Sequence, residues 1–234
     1  MRKTIDTLIR YGLIVDGTGA EPFEGDLSIS GDRIVSVVKS GSEKKLQSGL
    51  NAKRIIDAQG LIVCPGFIDT HAHSDFTLLA DPRAEGKVYQ GITAEINGNC
   101  GMSAAPLYGS ALERREEDLR ELGIRERWAT FGEYFGLLEK RGIALNFLTL
   151  AGHGNIRACV MGYENRKPTK REERKMCDLV AQSVDEGAIG LSTGLIYPPG
   201  IYSETEELIA LARTLSSARK DSSTAARGRS RMSR

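Results

Sequence analysis

LIVCPGFIDTHAHSD, residues Leu61 to Asp75, is a nearly continuous apolar run, broken only at Pro65-Gly66, that ends in two histidines. Such a run suits a strand covered on both faces. Asp69, His71 and His73 follow at period two, and in an extended chain residues two apart point the same way. Both imidazoles then project together from the strand's carboxyl end, where they can chelate one metal ion. A lone histidine is more simply read as a surface or core residue. Here two of the chain's three histidines stand one residue apart beside two carboxylates, which favours metal binding.

On the amino-terminal side, Thr7–Ile9, Gly12–Val15, Asp26–Ile29 and Arg33–Val38 read as short strands. Turn signals at Asp16-Gly17, Glu24-Gly25 and Gly31-Asp32 separate them. An exposed loop is expected from Ser40 to Lys53, before Arg54–Asp57 resumes a strand. Residues 1–60 therefore form a small β segment.

On the carboxyl side, strand and helix patterns alternate, which implies parallel βα units in a sheet or barrel covered by helices. A helix is expected over Asp81–Gln90, then a strand over Ile92–Ile96 running into Asn97-Gly98-Asn99-Cys100-Gly101. Cys100 thus lies just past a strand's carboxyl end, the face where ligands collect in parallel α/β folds. Ser110–Lys140 reads as outer helices whose mixed charges form a solvated face, with Trp128 either a packing anchor or a pocket wall. Leu145–Ala151 is the third strand, and His153 after it is either a substrate contact or a structural histidine bonded to backbone. Lys170–Glu186 is helical, with an apolar stripe of Met176, Leu179, Val180 and Val184. The small residues of Gly187–Leu195 make a fourth strand that implies close packing or a ligand near the backbone. Ser203–Leu215 is the last helix, with Ser203 and Glu206 at capping-box spacing. Residues 216–234 carry six Lys or Arg against one Asp and read as a disordered, solvated tail.

The 234 residues are 40% apolar, enough for a sizeable core, and carry a net charge of +1. Nothing in that balance calls for nucleic acid or a membrane surface. No apolar run could span a bilayer, and the first residues hold no secretory signal, so a cytoplasmic location is the expectation. Cys64, Cys100, Cys159 and Cys177 lie far apart and read as free thiols, all but Cys100 as buried substitutes for hydrophobes.

Two imidazoles and a thiolate make a donor set suited to zinc. A thiolate can also bridge two cations and reduce their repulsion. Water activated by the metal, its pKa lowered to roughly 7, would then attack an amide carbonyl. Asp69 is the nearest carboxylate for a catalytic role, with orientation of a metal ligand as its alternative.

These stretches resemble the N-acyl-D-amino-acid deacylase (D-aminoacylase) branch of the amidohydrolase superfamily. The matching segments are LIRYGLIVDGTG, GDRIVSV, PGFIDTHAHSD, GITAEINGNCG, AGHGNIRACVMG and EGAIGLSTGLIYPPGIYSETEELIALA, which together cover about Thr4 to Leu215. PGFIDTHAH marks only the superfamily, since dihydroorotases and hydantoinases share its form. NGNCG with Cys100 marks the branch, where a cysteine replaces a carboxylated lysine as bridging ligand. The resemblance implies a zinc-dependent (β/α)8 TIM-like barrel preceded by a small β-sandwich, hydrolysing N-acyl-D-amino acids. His71 and His73 would bind one metal, and Cys100 would hold the other or bridge both.

The resemblance also implies two more metal histidines and an aspartate base on later strands, which have no counterpart here. An eight-unit barrel takes about 250 residues, so only about four βα units fit. The expectation is a truncated member, with residues 61–215 a partial barrel and 216–234 a non-family tail such as a shifted reading frame would produce. Its exposed barrel edges would favour self-association. Two other readings compete. One is an inactive fragment that at most binds metal; the other is a dihydroorotase or hydantoinase, weakened because no lysine occupies an equivalent strand end.

Overall fold

The computed structural model describes residues 5–42 and 51–229, and the chain divides into two compact units, Met1–Gly66 and Phe67–Arg234. In the first, β1 (Ile5–Ile14), β2 (Phe23–Ser30) and β3 (Arg33–Lys39) form an antiparallel meander. β4 (Ala52–Asp57) and β5 (Ile62–Val63) pair with β1 in parallel. The two short strands expected before Asp16 are one strand bent by a bulge between Ile9 and Gly12, where Tyr11 adopts φ 62°. Glu24-Gly25 makes no turn, because both residues pair with β1 inside β2. Most of the loop read over 40–53 lies outside the described residues.

The decisive stretch is split between the units. β5 completes the first sheet, so the division falls after Gly66 and not after residue 60. β6 (Phe67–Asp69) opens the second sheet at its edge, in the parallel order β6, β7 (Ile92–Asn97), β8 (Asn146–Thr149). The expectation of burial on both faces fails: Ile62 is 65% exposed and Ile68 61%. Two short strands at the margins of separate sheets have no cover on their outer faces among the described residues.

The single helix expected over Asp81–Gln90 is two separate turns, α1 (Thr77–Ala80) and α2 (Glu85–Val88). Pro82 forces Asp81 into the extended region, at φ −131° and ψ 91°, and stops the first turn. α3 (Ser110–Glu121), α4 (Phe131–Arg141), α5 (His153–Met161) and α6 (Lys170–Asp185) follow. β9 (Ala151–Gly152) pairs in parallel with β10 (Leu191–Ser192), well short of the strand expected over Gly187–Leu195. Capping boxes open α4 at Thr130 and Glu133, and α6 at Thr169 and Glu172.

The box expected at Ser203 does not form, because Ser203 ends a 3-10 turn (Gly200–Tyr202) and α7 begins at Thr205. α7 then runs to Arg229, through most of the segment expected to be disordered. That expectation weighed missing apolar periodicity. Extending an existing helix needs no new nucleus, and residues 216–229 include Ala, Arg and Lys with no proline. Residues 230–234 lie outside the described set.

The core of the second unit packs Leu79, Phe131, Tyr134, Ile156, Met176, Val180 and Leu211 beneath the helices, each burial contributing about 1.5–3 kcal/mol. Trp128 is an anchor and not a pocket wall: it is buried against Phe76 and Tyr134, and its indole N–H donates to the Ala104 carbonyl at 2.8 Å. Register sets the orientation of the polar residues. Asp69 pairs with Glu95, and Glu95 with Phe147, so the three share one face of the sheet. Phe147 packs on Tyr134 of α4 at 5.7 Å, which identifies that face as the helix-covered one.

Candidate metal centre

The strand geometry read for Asp69, His71 and His73 stops at Asp69, four residues short of His73. Asp69 Oδ1 accepts the His71 N–H at 3.1 Å, the Asx turn typical of aspartate, and the chain leaves the strand there. Asp69 therefore points to the helix side, toward Lys87, and the loop beyond it carries the histidines. Each part of that loop is tied to β7. The Ala72 N–H donates to the Ile96 carbonyl at 3.0 Å, and the Asn99 amide donates to the Ala72 carbonyl at 3.2 Å. The Ser74 N–H donates to Asn97 Oδ1 at 2.7 Å, and the Ser74 hydroxyl donates to Glu95.

Cys100 is brought to the same place by a tight turn after β7. Gly98, Cys100 and Gly101 all have positive φ, with Cys100 at 56°. The left-handed region costs a non-glycine residue roughly 1–3 kcal/mol, and here the surroundings enforce it. Tyr197 donates its hydroxyl to the Cys100 carbonyl. Ser192 accepts the Gly101 N–H at 2.9 Å and donates to the Gly98 carbonyl. A Cβ on Gly98 would overlap the Leu150 carbonyl oxygen, and one on Gly194 the Cys100 carbonyl oxygen. The small-residue segment near residue 190 thus serves close packing behind the cysteine. Gly98→Ala combines that overlap with φ +71°, and a loss of about 3 kcal/mol is expected. A melting curve that falls by less than about 2 °C would refute it, since each kcal/mol moves a unit of this size by roughly 2–4 °C.

His71, His73 and Cys100 offer ligand atoms that all lie within 4.8 Å of one another. Cys100 Sγ is 3.3 Å from His71 Nε2, and the two imidazole centroids are 5.3 Å apart. Tetrahedral zinc with bonds of about 2.0–2.3 Å separates its ligand atoms by roughly 3.3–3.6 Å, so small side-chain rotations suffice. The donor set fits the ion. Desolvation, with the nearby His71 and Arg115 charges, lowers the His73 pKa and favours the neutral form that ligates. Lys87 and the His71 N–H hold the Asp69 carboxyl below its ordinary range. Burial pushes the Asp75 carboxyl up to about 6.

His153 sits elsewhere. It is fully buried at the start of α5, with Nε2 2.8 Å from Glu207 and 3.3 Å from the Ser203 hydroxyl, and Arg157 pairs with the same glutamate. Among the described residues it touches no part of the His71 cluster. All four cysteines are free thiols; Cys159 and Cys177 pack against the core, but Cys64 is exposed.

Sequence patterns missed several residues. Glu95 and Asn97 lie at period two within a strand read from its apolar members, and that alternation was the available signal. Arg114 and Arg115, read as a solvated face, line a cavity of about 500 Å³ together with Gly101, Met102, Tyr163 and Tyr197. Arg115 pairs with Asp118 at 2.8 Å.

Parallel strand–helix units that gather two histidines and a cysteine at their strand ends make an α/β protein with a candidate metal centre. The amidohydrolase family pattern matches residues 54–230, and the chain belongs to that family. It is 38% identical over 215 residues to N-acyl-D-glutamate deacylase of Alcaligenes xylosoxydans xylosoxydans, and 37% identical over 214 to that organism's D-aminoacylase. These alignments take in 91% and 92% of this chain but 42% and 43% of the relatives, so it spans about two-fifths of their length. Among solved structures, the N-acyl-D-glutamate deacylase of Bordetella bronchiseptica, complexed with zinc and a phosphonate inhibitor, aligns at TM-score 0.77 and 36% identity. That alignment covers 92% of this chain and 44% of the other. No described helix is long and apolar enough to cross a membrane.

Proposed function

We propose that this chain is part of a zinc-dependent amidohydrolase that cleaves the amide bond of N-acyl-D-amino acids, with His71, His73 and Cys100 as metal ligands. The observation carrying it is the convergence of those three donors within 4.8 Å at the ends of adjacent parallel strands. The segment from Phe67 onward would supply about four βα units of a (β/α)8 barrel, and the first unit a β-sandwich segment. When bound, zinc supplies Lewis-acid activation of water and of the amide carbonyl.

The chain's own residues divide the remaining work. His71 and His73 contribute neutral nitrogens, and Cys100 contributes the negative charge that lets one ligand serve two cations. Asp69 holds the His71 backbone and orients that ligand. In the cavity beside Cys100, Arg114 has no carboxylate partner among the described residues, unlike Arg115, and would receive the substrate carboxylate. Phe67 and Ile68, exposed on the edge strand β6, support the self-association read for such an edge.

A second reading, metal binding without turnover, is favoured by one observation. Among the described residues the cluster has three donors and no carboxylate, and Asp69 is engaged by Lys87 and the His71 N–H. Zinc analysis, thiol labelling and assay on N-acetyl-D-glutamate and N-acetyl-D-methionine separate the two. Zinc is expected to protect Cys100 from a thiol reagent at about pH 8, while exposed Cys64 still reacts. Cys159, pushed up to about 11 by burial, stays a protonated thiol there. Protection with release of D-amino acid supports the deacylase; protection without release supports the second reading. Failure to protect Cys100 refutes both.

A further inference from the structure

We propose that Lys87 is a positioning residue for the metal ligands, acting on His71 through Asp69 and on the Ser74 end of the loop through Glu95. The inference rests on the metal centre proposed above and adds a residue that is not a ligand.

Lys87 lies on the face of the sheet to which Asp69 and Glu95 point, and is not one of the clustered donors. Its ammonium pairs with Asp69 Oδ2, while Asp69 Oδ1 accepts the His71 N–H. The same ammonium lies 3.6 Å from Glu95 Oε2, which is fully buried and has no hydrogen-bond partner. Glu95 Oε1 accepts from the Ser74 hydroxyl and from the Asn97 amide at 2.8 Å, and Asn97 in turn accepts the Ser74 N–H. One cation therefore neutralises two carboxylates that brace the histidine loop at both ends, before His71 and after His73.

A buried carboxylate without a counter-charge is strongly disfavoured. Without Lys87, Asp69 and Glu95 face each other as adjacent acids on paired strand positions. Asp69 is then free to swing toward solvent, and the Asx turn that aims His71 loses its outer restraint. Lys87 also anchors α2, a four-residue turn that follows Ala84 in the left-handed conformation and is too short to persist alone. The position of the lysine depends on the sheet, and the loop on the lysine.

The test compares Lys87→Met, Lys87→Arg and the double variant Lys87→Met/Glu95→Gln with wild type. Zinc affinity is measured by competition with a chromogenic chelator, the electronic spectrum with Co2+ in place of zinc, and stability by thermal melting. Lys87→Met is expected to weaken zinc binding by about 10–100-fold, the range seen when a ligand loses its supporting partner. Its Co2+ spectrum should keep the thiolate charge-transfer band and change in the ligand-field region. Lys87→Arg should restore affinity. The double variant removes the buried unpaired charge and should recover the melting temperature, yet zinc binding should stay weak, because Asp69 is still unclamped.

Unchanged zinc affinity in Lys87→Met overturns the inference and leaves the metal centre standing. So does affinity that recovers together with the melting temperature in the double variant, since that assigns Lys87 to stability alone. A wild-type chain that takes up neither ion overturns the metal centre itself, and this inference with it.

Discussion

Cys100→Ser is expected to lower zinc affinity by more than about 100-fold, beyond the 10–100-fold typical of residues that merely support a ligand. The thiolate is the only donor of the three that carries negative charge, and sulfur is a preferred zinc ligand. Serine keeps the shape and accepts the same turn, so the fold should survive. The carbonyl of residue 100 would still receive the Tyr197 hydroxyl, and Ser192 would still hold Gly98 and Gly101. The measurement is a chelator competition with a melting curve on the same sample. The sulfur-to-cobalt charge-transfer band should vanish in the Co2+ form. Retention of wild-type affinity by Cys100→Ser would remove Cys100 from the site, leaving two imidazoles too few to explain tight binding.

Glu207→Ala should cost about 3–5 kcal/mol, because Arg157 is 0% exposed and would lose its counter-charge inside the protein. For a unit of this size that is a fall in melting temperature of roughly 6–20 °C. The glutamate also holds His153, so α5 and α7 would lose their shared polar contact. A melting temperature within about 2 °C of wild type would refute the assignment. The same pair sets an acid limit. Burial pushes the Glu207 carboxyl up, but the His153 hydrogen bond and the Arg157 charge outweigh it and leave the pKa below its ordinary value. A depressed folded pKa contributes stability that is full above the ordinary glutamate value of about 4.3 and is lost as the pH falls through the folded value. Melting followed from pH 7 downward should therefore show Glu207→Gln losing less stability with acid than wild type.

Helices with strong local chemistry were legible before the structure. The stripe of Met176, Val180 and Val184 in α6 is buried as its spacing requires, whereas the capping boxes form at Thr130 and Thr169 and not at Ser203. The failures were also local in cause. Proline at 82 broke a helix that composition favoured, and the long apolar stretch was shared between two sheets. The segment beyond Leu215 lacked periodicity but retained residues able to prolong a helix.

The order of the residues alone determined that two imidazoles and a thiolate stand at the ends of successive strands, because that placement depends only on where an apolar run stops and a glycine turn begins. Tertiary structure decided the rest. Asp69 turned away from the histidines because its side chain captured a backbone N–H and then met Lys87 from a separate helical turn. Glu207 became the partner of Arg157 because α5 and α7 both pack on α6, a pairing across 50 residues that no local pattern records. Which polar groups meet depends on how elements pack, and packing is governed by the summed burial of many side chains, not by the residues that happen to touch.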